Sequence, residues 1–163
     1  PVDVYMATLG KAIGTFGAFV AGSDDLSEDL TSRARTFCFT TATPPLLAAA
    51  TLAALDVIER EPERREQLQA NIAQLREGLQ AQGWQLVDSH TAIQPIIVGD
   101  AARTLALSQR LADQGILAVA IRPPTVPHGT SRLRVTLSAA HTGEHVGCLI
   151  EVMAGLFHPD FAK

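Results

Sequence analysis

The feature that most constrains the fold is a segment of period two near the end of the chain. Leu133, Val135 and Leu137 alternate there with Arg132 and Arg134. This alternation predicts a β-strand in a sheet that has one covered face and one open face. The two arginines are expected on the open face, and neither is expected to take part in catalysis.

Further strands and helices are predicted around that strand. Two strands are expected at residues 94–98 and 116–121, with a helix between them at about 101–114. A longer helix is indicated by apolar residues spaced four, three and four apart, which are Leu68, Ile72, Leu75 and Leu79. A last helix carries apolar residues on one face, namely Val146, Leu149, Ile150, Met153 and Leu156. These elements predict a small α/β sandwich, with helices on one side of a mostly antiparallel sheet.

The first 43 residues have a different character, because glycines interrupt them at positions 10, 14 and 17. The elements predicted here are a short strand at 2–8, an extended segment at 18–21, a helix at 26–35 and an extended linker at 36–43. Pro44 and Pro45 are expected to open another helix that runs to about Arg60. Proline suits the first helical position because its φ is preset and its missing N–H needs no partner there.

Charge and composition exclude two classes of partner. The net charge is −4, and basic residues are interspersed with acidic ones, as in residues 59–66. A nucleic-acid partner would require a basic stripe, which is missing. No apolar run is long enough to cross a membrane, and the first residues lack the regions of a signal peptide. Cys38 and Cys148 are expected to be buried free thiols in a reducing cytoplasm.

Lys11 lies among small residues in the segment 8–14. It does not belong to a phosphate-binding loop, because Tyr5 and Ala12 stand where that motif needs glycine and serine or threonine. A lysine with small neighbours can reach an aldehyde carbon and act as a nucleophile. Thr8 offers a hydroxyl that could bind a phosphate. The residues alone leave open the alternative that Lys11 is an ordinary lysine in a solvated loop.

Three segments, in the same order and spacing, resemble motifs of the α-oxoamine synthases. These are fold-type-I pyridoxal-phosphate (PLP) enzymes that condense an amino acid with an acyl thioester. Residues 7–19 (ATLGKAIGTFGAF) resemble the cofactor-lysine segment, residues 39–45 (FTTATPP) the double-proline turn, and residues 131–142 (SRLRVTLSAAHT) the C-terminal signature. Residues 89–100 and 120–127 resemble the branch of the family that joins L-alanine to a pimeloyl thioester in biotin biosynthesis.

The resemblance covers essentially the whole chain and implies that the chain is the C-terminal part of such an enzyme. It implies three regions: the end of the PLP-binding large domain with the cofactor lysine at 1–45, linking helices at 46–82, and a small C-terminal α/β domain at 83–163. It also implies a cytoplasmic homodimer whose substrates are L-alanine and pimeloyl-CoA or a pimeloyl carrier protein. Two alternatives remain, an α-oxoamine synthase that uses glycine or serine, and a non-catalytic α/β interaction module.

The resemblance implies roles for four residues at the cofactor. Lys11 matches the lysine that binds PLP covalently and moves protons at the substrate, and Thr8 matches a hydroxyl that binds the cofactor phosphate. Thr41, together with Thr40, matches residues that reach the phosphate from the neighbouring subunit. Without the resemblance, the two threonines would be interpreted as caps of the following helix. The family's aspartate and histidine for the cofactor ring lie upstream of residue 1, so these 163 residues alone are expected to be inactive.

Two more residues match substrate contacts of the family. Arg122 matches the arginine that holds the substrate carboxylate, for which its planar set of five donors is well suited. Thr125 matches a contact beside that arginine. The alternative for Arg122 is an ordinary surface arginine at the end of a strand. His141 and His145 are four residues apart, but no third ligand has suitable spacing, so structural roles rather than a metal site are expected for them.

Overall fold

A computed structural model describes residues 2–156 of the chain. The chain divides into two compact units, Pro1–Pro62 and Glu63–Lys163. No helix in the described part of the chain is long and apolar enough to cross a membrane.

The first unit contains a β-hairpin followed by three helices. Its elements are β1 (Tyr5–Thr8), β2 (Ala18–Ala21), α1 (Asp24–Arg33), α2 (Arg35–Cys38) and α3 (Pro45–Arg60), and β1 pairs with β2 in antiparallel register. Ser23 caps α1, because its side chain accepts a hydrogen bond from the Leu26 amide. As predicted, Pro45 occupies the first position of α3.

The extended linker predicted at residues 36–43 is wrong in its first part, where α2 forms a single helical turn. The amides of Cys38 and Phe39 donate to the carbonyls of Ala34 and Arg35, over 2.9 and 3.1 Å. No glycine or proline lies between residues 34 and 39, so nothing in the backbone prevents these i to i−4 bonds. Residues 40–44 continue without regular structure.

No described residue of the first unit is buried, that is, of residues 2–62. Phe39 is 82% exposed and Phe16 is 70% exposed, and α3 leaves Leu46 and Leu52 exposed by 75% and 68%. Hydrophobic burial therefore contributes little to holding this unit together. The assignment of residues 1–45 to the end of a larger domain stays a prediction.

The second unit is an α/β sandwich built on a four-stranded sheet, which confirms the predicted fold class. Its elements are α4 (Glu63–Ala81), β3 (Gln85–Leu86), β4 (Ile93–Gly99), α5 (Ala101–Asp113), β5 (Val119–Ile121), β6 (Ser131–Thr136) and α6 (Gly143–Leu156). The strand order is β3-β4-β6-β5, and each neighbouring pair is antiparallel. The two-residue strand β3 is too short to show an alternating pattern, so it was not predicted.

One face of this sheet is covered by helices and carries the core. Leu133 and Val135 of β6 are buried at 0% and 5% exposure, whereas Arg134 between them is exposed. Helix α4 buries Ile72, Leu75 and Leu79, as its predicted period of 3.6 requires. Apolar side chains at 0% exposure also come from β4, α5 and α6, namely Ile96, Leu111 and Met153.

The two helices that were predicted to link the domains lie in different units. Helix α3 belongs to the first unit, and α4 belongs to the second, where it packs against α6. The predicted boundaries at residues 45 and 82 remain predictions.

The two cysteines are free, but the prediction that they are buried is wrong. Cys38 and Cys148 are both exposed. Cys38 lies among residues 2–62, none of which is buried, and its thiol donates to the carbonyl of Thr31 over 3.2 Å. Cys148 lies on α6 outside its buried face, because helical steps of about 100° place it about 100° from Leu149 and about 200° from Val146.

Candidate active site

Lys11 lies in the loop that connects β1 to β2. Backbone hydrogen bonds close this loop from Leu9 to Gly17 over 2.9 Å, from Thr15 to Leu9 over 3.0 Å, and from Gly14 to the carbonyl of Lys11 over 2.9 Å. Gly14 and Gly17 have φ angles of 70° and 112°, which side chains with a Cβ rarely adopt. Glycine is therefore required at positions 14 and 17 by the loop itself.

The side chains of Lys11 and Thr8 meet at the beginning of this loop. The Lys11 Nζ donates to the Thr8 Oγ1 over 3.3 Å, and both residues are exposed. Thr8 is the last residue of β1, so the hairpin holds its hydroxyl beside the first turn of the loop. The structure thus places the Lys11 amine and the Thr8 hydroxyl in direct contact.

A pair of hydroxyls connects the loop to α3 and was not predicted. The Thr15 and Thr51 Oγ1 atoms lie 3.0 Å apart, and the Thr51 hydroxyl donates to the Leu47 carbonyl over 2.7 Å. Because the Thr51 proton is used in that bond, Thr15 is the donor of the pair. These residues are 36 positions apart in the sequence, and no local pattern could have indicated the contact.

Thr40 and Thr41 lie in the irregular segment between α2 and α3, and both are exposed. The alternative that they cap α3 is wrong, because the N-cap residue is Pro44 and no side chain caps this helix. Neither threonine therefore caps α3.

Arg122 and Thr125 lie in the second unit, in the loop that follows β5. The Thr125 amide donates to the Arg122 carbonyl over 3.1 Å, and both residues are exposed. The Pro123-Pro124 peptide bond between them is cis. This turn places the two predicted substrate contacts on one short loop at the end of a sheet strand.

His141 and His145 have structural partners at the beginning of α6. The His141 Nδ1 accepts from the Ser138 amide over 3.1 Å, and the His145 Nδ1 accepts from the Thr142 amide over 3.2 Å. The His145 amide in turn donates to the Thr142 hydroxyl over 3.3 Å, which gives a reciprocal cap. Within residues 2–156, no group of three or more histidines, cysteines, aspartates and glutamates could hold a metal ion.

A cavity of about 640 Å³ also lies in the second unit, beside the beginning of α6. It is lined by residues 114–119, by β6 and by the two histidines, His141 and His145. Neither Arg122 nor Thr125 lines it. This cavity is therefore not the place where the predicted substrate contacts lie.

The comparison with protein families gives one match over nearly the whole chain. Residues 1–153 match the model of the family described as "Aminotransferase class I and II". The chain belongs to this family.

Among curated relatives, the chain is 55% identical over 153 residues to an 8-amino-7-oxononanoate synthase of Pseudomonas entomophila. The match covers 94% of this chain and 39% of the relative's length. The chain therefore spans about two fifths of the curated relatives that it matches. The motif-based resemblance to this branch is confirmed as a similarity of sequence.

Solved structures of the same group share the fold. An 8-amino-7-oxononanoate synthase of Francisella tularensis matches with a TM-score of 0.82 and 28% identity, over 94% of this chain and 45% of that one. A structure of SPT with a PLP internal aldimine matches with a TM-score of 0.87 and 28% identity, over 94% and 39% of the two chains. The similar proteins thus include one that carries PLP.

The described residues fit two groups of this cofactor, its aldehyde and its phosphate. PLP presents an aldehyde and a phosphate, and the Lys11 amine and the Thr8 hydroxyl, 3.3 Å apart, have the chemistry that these two groups require. The space beside Gly14 in this loop is also open, because a Cβ placed there would meet no atom within 4 Å. For the cofactor ring, the resemblance implies residues upstream of this chain.

Proposed function

We propose that the chain is the lysine-bearing part of a PLP-dependent acyltransferase that condenses L-alanine with a pimeloyl thioester. The reaction includes decarboxylation and gives 8-amino-7-oxononanoate for biotin biosynthesis. The observation that carries the proposal is the 55% identity over 153 residues to a synthase of that name. Because the chain spans 39% of that relative, the proposal concerns the activity of a longer polypeptide that includes these residues.

Lys11 is the proposed attachment and proton-transfer residue. PLP, when bound, supplies an electron sink for the negative charge that develops at the α-carbon of the amino acid. An amine held beside the substrate α-carbon could remove a proton there and return it later, and Lys11 would be the residue for both transfers. Thr8, whose hydroxyl already contacts the Lys11 amine, is the proposed phosphate ligand of the same loop.

Arg122 is the proposed clamp for the carboxylate of L-alanine. Its guanidinium can donate two parallel hydrogen bonds to a carboxylate, which fixes the orientation as well as the charge. Its position on an exposed turn with Thr125 leaves the guanidinium accessible to a small substrate. The proposal gives Thr125 a contact to the same substrate.

The proposal also includes a homodimer in the cytoplasm, in which Thr41, with Thr40, reaches the phosphate of the neighbouring subunit. The exposure of both threonines supports this role, since neither side chain caps a helix. The acyl donor is a pimeloyl thioester of coenzyme A or of a carrier protein.

The test uses a chimaera in which this chain replaces the matching part of the Pseudomonas entomophila synthase. Borohydride reduction in the presence of PLP, followed by peptide mapping, is expected to label Lys11. The chain offers an internal control, because it has one other lysine, Lys163. A label on Lys163, or no label in this chain, would overturn the assignment and favour a non-catalytic module.

Product analysis tests the substrate. The chimaera is expected to form product from L-alanine with pimeloyl-CoA or the pimeloyl carrier protein, and sedimentation is expected to give a dimer. Product from glycine or serine but not from L-alanine would favour a different α-oxoamine synthase. The 163-residue chain alone is expected to be inactive, and substantial turnover by it would contradict the proposed dependence on upstream residues.

A further inference from the structure

The loop that carries Arg122 and Thr125 runs from the end of β5 to the beginning of β6. It contains two turns, closed by the Thr125 amide on the Arg122 carbonyl over 3.1 Å and by the Thr130 amide on the Pro127 carbonyl over 3.2 Å. Gly129 in the second turn has a φ of 77°. The turns shape the loop locally, but neither attaches it to the sheet.

Arg132 makes the contact that attaches the far end of this loop. Its Nε donates to the Thr130 carbonyl over 3.0 Å. The Thr130 hydroxyl donates in turn to the Pro127 carbonyl over 2.8 Å. The bond from a charged guanidinium to a carbonyl is stronger than one between neutral groups. The contact therefore restrains the second turn through its last residue.

The near end of the loop is attached at the same residue of β6. Ile121, which precedes Arg122, pairs with Arg132 in the antiparallel register of β5 and β6. The backbone of Arg132 thus lies opposite Ile121. Its side chain bonds to Thr130, the last residue of the loop. Both ends of the loop converge on one position of the sheet.

Arg134 shows that this arrangement is specific to one arginine. It lies two residues further along β6, on the same face of the sheet, where it pairs with Val119. Arg134 is exposed, whereas Arg132 is half-buried. By sequence alone the two arginines are equivalent, and the structure distinguishes them.

We propose that Arg132 and Thr130 are positioning residues that hold the Arg122 loop in the conformation that binds the substrate carboxylate. The inference rests on the proposed function, because it takes Arg122 as the carboxylate clamp. Neither residue touches the substrate. Their effect is to remove alternative conformations of the loop before the substrate binds, which lowers the cost of binding.

The first measurement is steady-state kinetics of the chimaera with the substitutions Arg132→Met and Thr130→Val. Each removes one loop hydrogen bond, and a typical net contribution corresponds to a rise of about fivefold in KM for L-alanine. The kcat is expected to change less than about twofold, since binding of the carboxylate is common to substrate and transition state. Arg134→Met is the matched control and Thr130→Ser the conservative variant, and both are expected to retain the original KM.

The second measurement is hydrogen exchange of the 163-residue chain, which needs neither cofactor nor activity. Arg132→Met and Thr130→Val are expected to speed exchange at the Thr125 and Thr130 amides by several-fold, whereas Arg134→Met leaves them unchanged. If Arg132→Met prevents folding, Thr130→Val decides the question against Thr130→Ser.

The outcomes separate this inference from the proposed function. A chimaera without alanine-dependent activity would contradict the proposed function, and the exchange rates would still decide whether the two residues hold the loop. Equal exchange and equal KM in the Arg132→Met and Arg134→Met variants would overturn the inference. So would a Thr130→Ser variant as impaired as Thr130→Val, because the hydroxyl would then not be the relevant group.

Discussion

Arg76 is the residue whose removal tests the structure of the second unit most directly. Its Nη1 donates to the Val87 carbonyl over 2.9 Å, to the Ser89 carbonyl over 3.3 Å and to the Gln94 Oε1 over 3.0 Å. The Gln94 side chain is 1% exposed, and its amide donates to the Ser89 carbonyl over 3.1 Å. Arg76 and Gln94 together hold the connection between β3 and β4 against helix α4.

The substitution Arg76→Met is expected to lower the free energy of unfolding by about 3 kcal/mol. It keeps most of the aliphatic stem but leaves the Gln94 Oε1 and the Val87 carbonyl without their donor. Each buried acceptor that loses its partner costs about 1–3 kcal/mol. The Asp88 carboxylate, 3.8 Å from the guanidinium and on a side chain that is 85% exposed, adds little, because exposed ion pairs are weak.

Urea unfolding of the 163-residue chain measures this cost. Trp84, the one tryptophan of the sequence, is 3% exposed in the core of the second unit, so its fluorescence reports on that unit. Arg110→Met, at an exposed position of α5, is the matched control and is expected to change stability by less than about 0.5 kcal/mol.

A double-mutant cycle then tests the reasoning about Gln94. The variants Arg76→Met and Gln94→Met each lower the free energy of unfolding. The sum of these two losses is expected to exceed the loss in the double variant by about 1–2 kcal/mol, because the residues share one network. Additive effects, or an Arg76→Met variant as stable as Arg110→Met, would refute the interpretation of this network.

Three further predictions concern the core, a helix cap and the proposed lysine. Leu75→Ala, at 0% exposure, is expected to cost about 3 kcal/mol in urea unfolding, and Leu105→Ala, at 46%, less than about 1 kcal/mol; equal costs would contradict the assigned core. Asp100→Ala removes the carboxylate that accepts from the Arg103 amide over 2.8 Å and is expected to cost about 1 kcal/mol, with a smaller loss for Asp100→Asn. Lys11→Arg is expected to abolish borohydride labelling in the chimaera, because a guanidinium stays protonated and cannot attack the aldehyde; a retained label would exclude Lys11.

The second unit was predictable because its signals are local and periodic. The alternation at residues 132–137 predicted β6 to within one residue at either end, and the apolar spacing of α4 identified the three apolar residues that it buries, though not the buried Asn71. These patterns arise because one face of each element is covered, and burial repeats with the period of the backbone. The class of fold followed from the order of such elements.

The details that bear on the candidate site have no such period. The Thr15–Thr51 contact joins residues 36 positions apart, whereas the bond from Arg132 to Thr130 and the turn of α2 are single local contacts that no repeating pattern marks. A sequence shows that Arg132 and Arg134 share a face, but both fit that face equally well. Only the loop geometry distinguishes the arginine that makes a bond from its neighbour.

The two proposed binding groups depend on different sources of order. The Lys11 loop is closed by its own backbone hydrogen bonds and lies in a unit with no buried side chain among residues 2–62. The Arg122 loop is attached at both ends to β6, whose Leu133 is fully buried in the core of the second unit. Loss of packing in that core therefore loosens the carboxylate clamp but leaves the lysine loop's own hydrogen bonds in place. We therefore expect a core variant of the chimaera to keep its borohydride label while its KM for L-alanine rises.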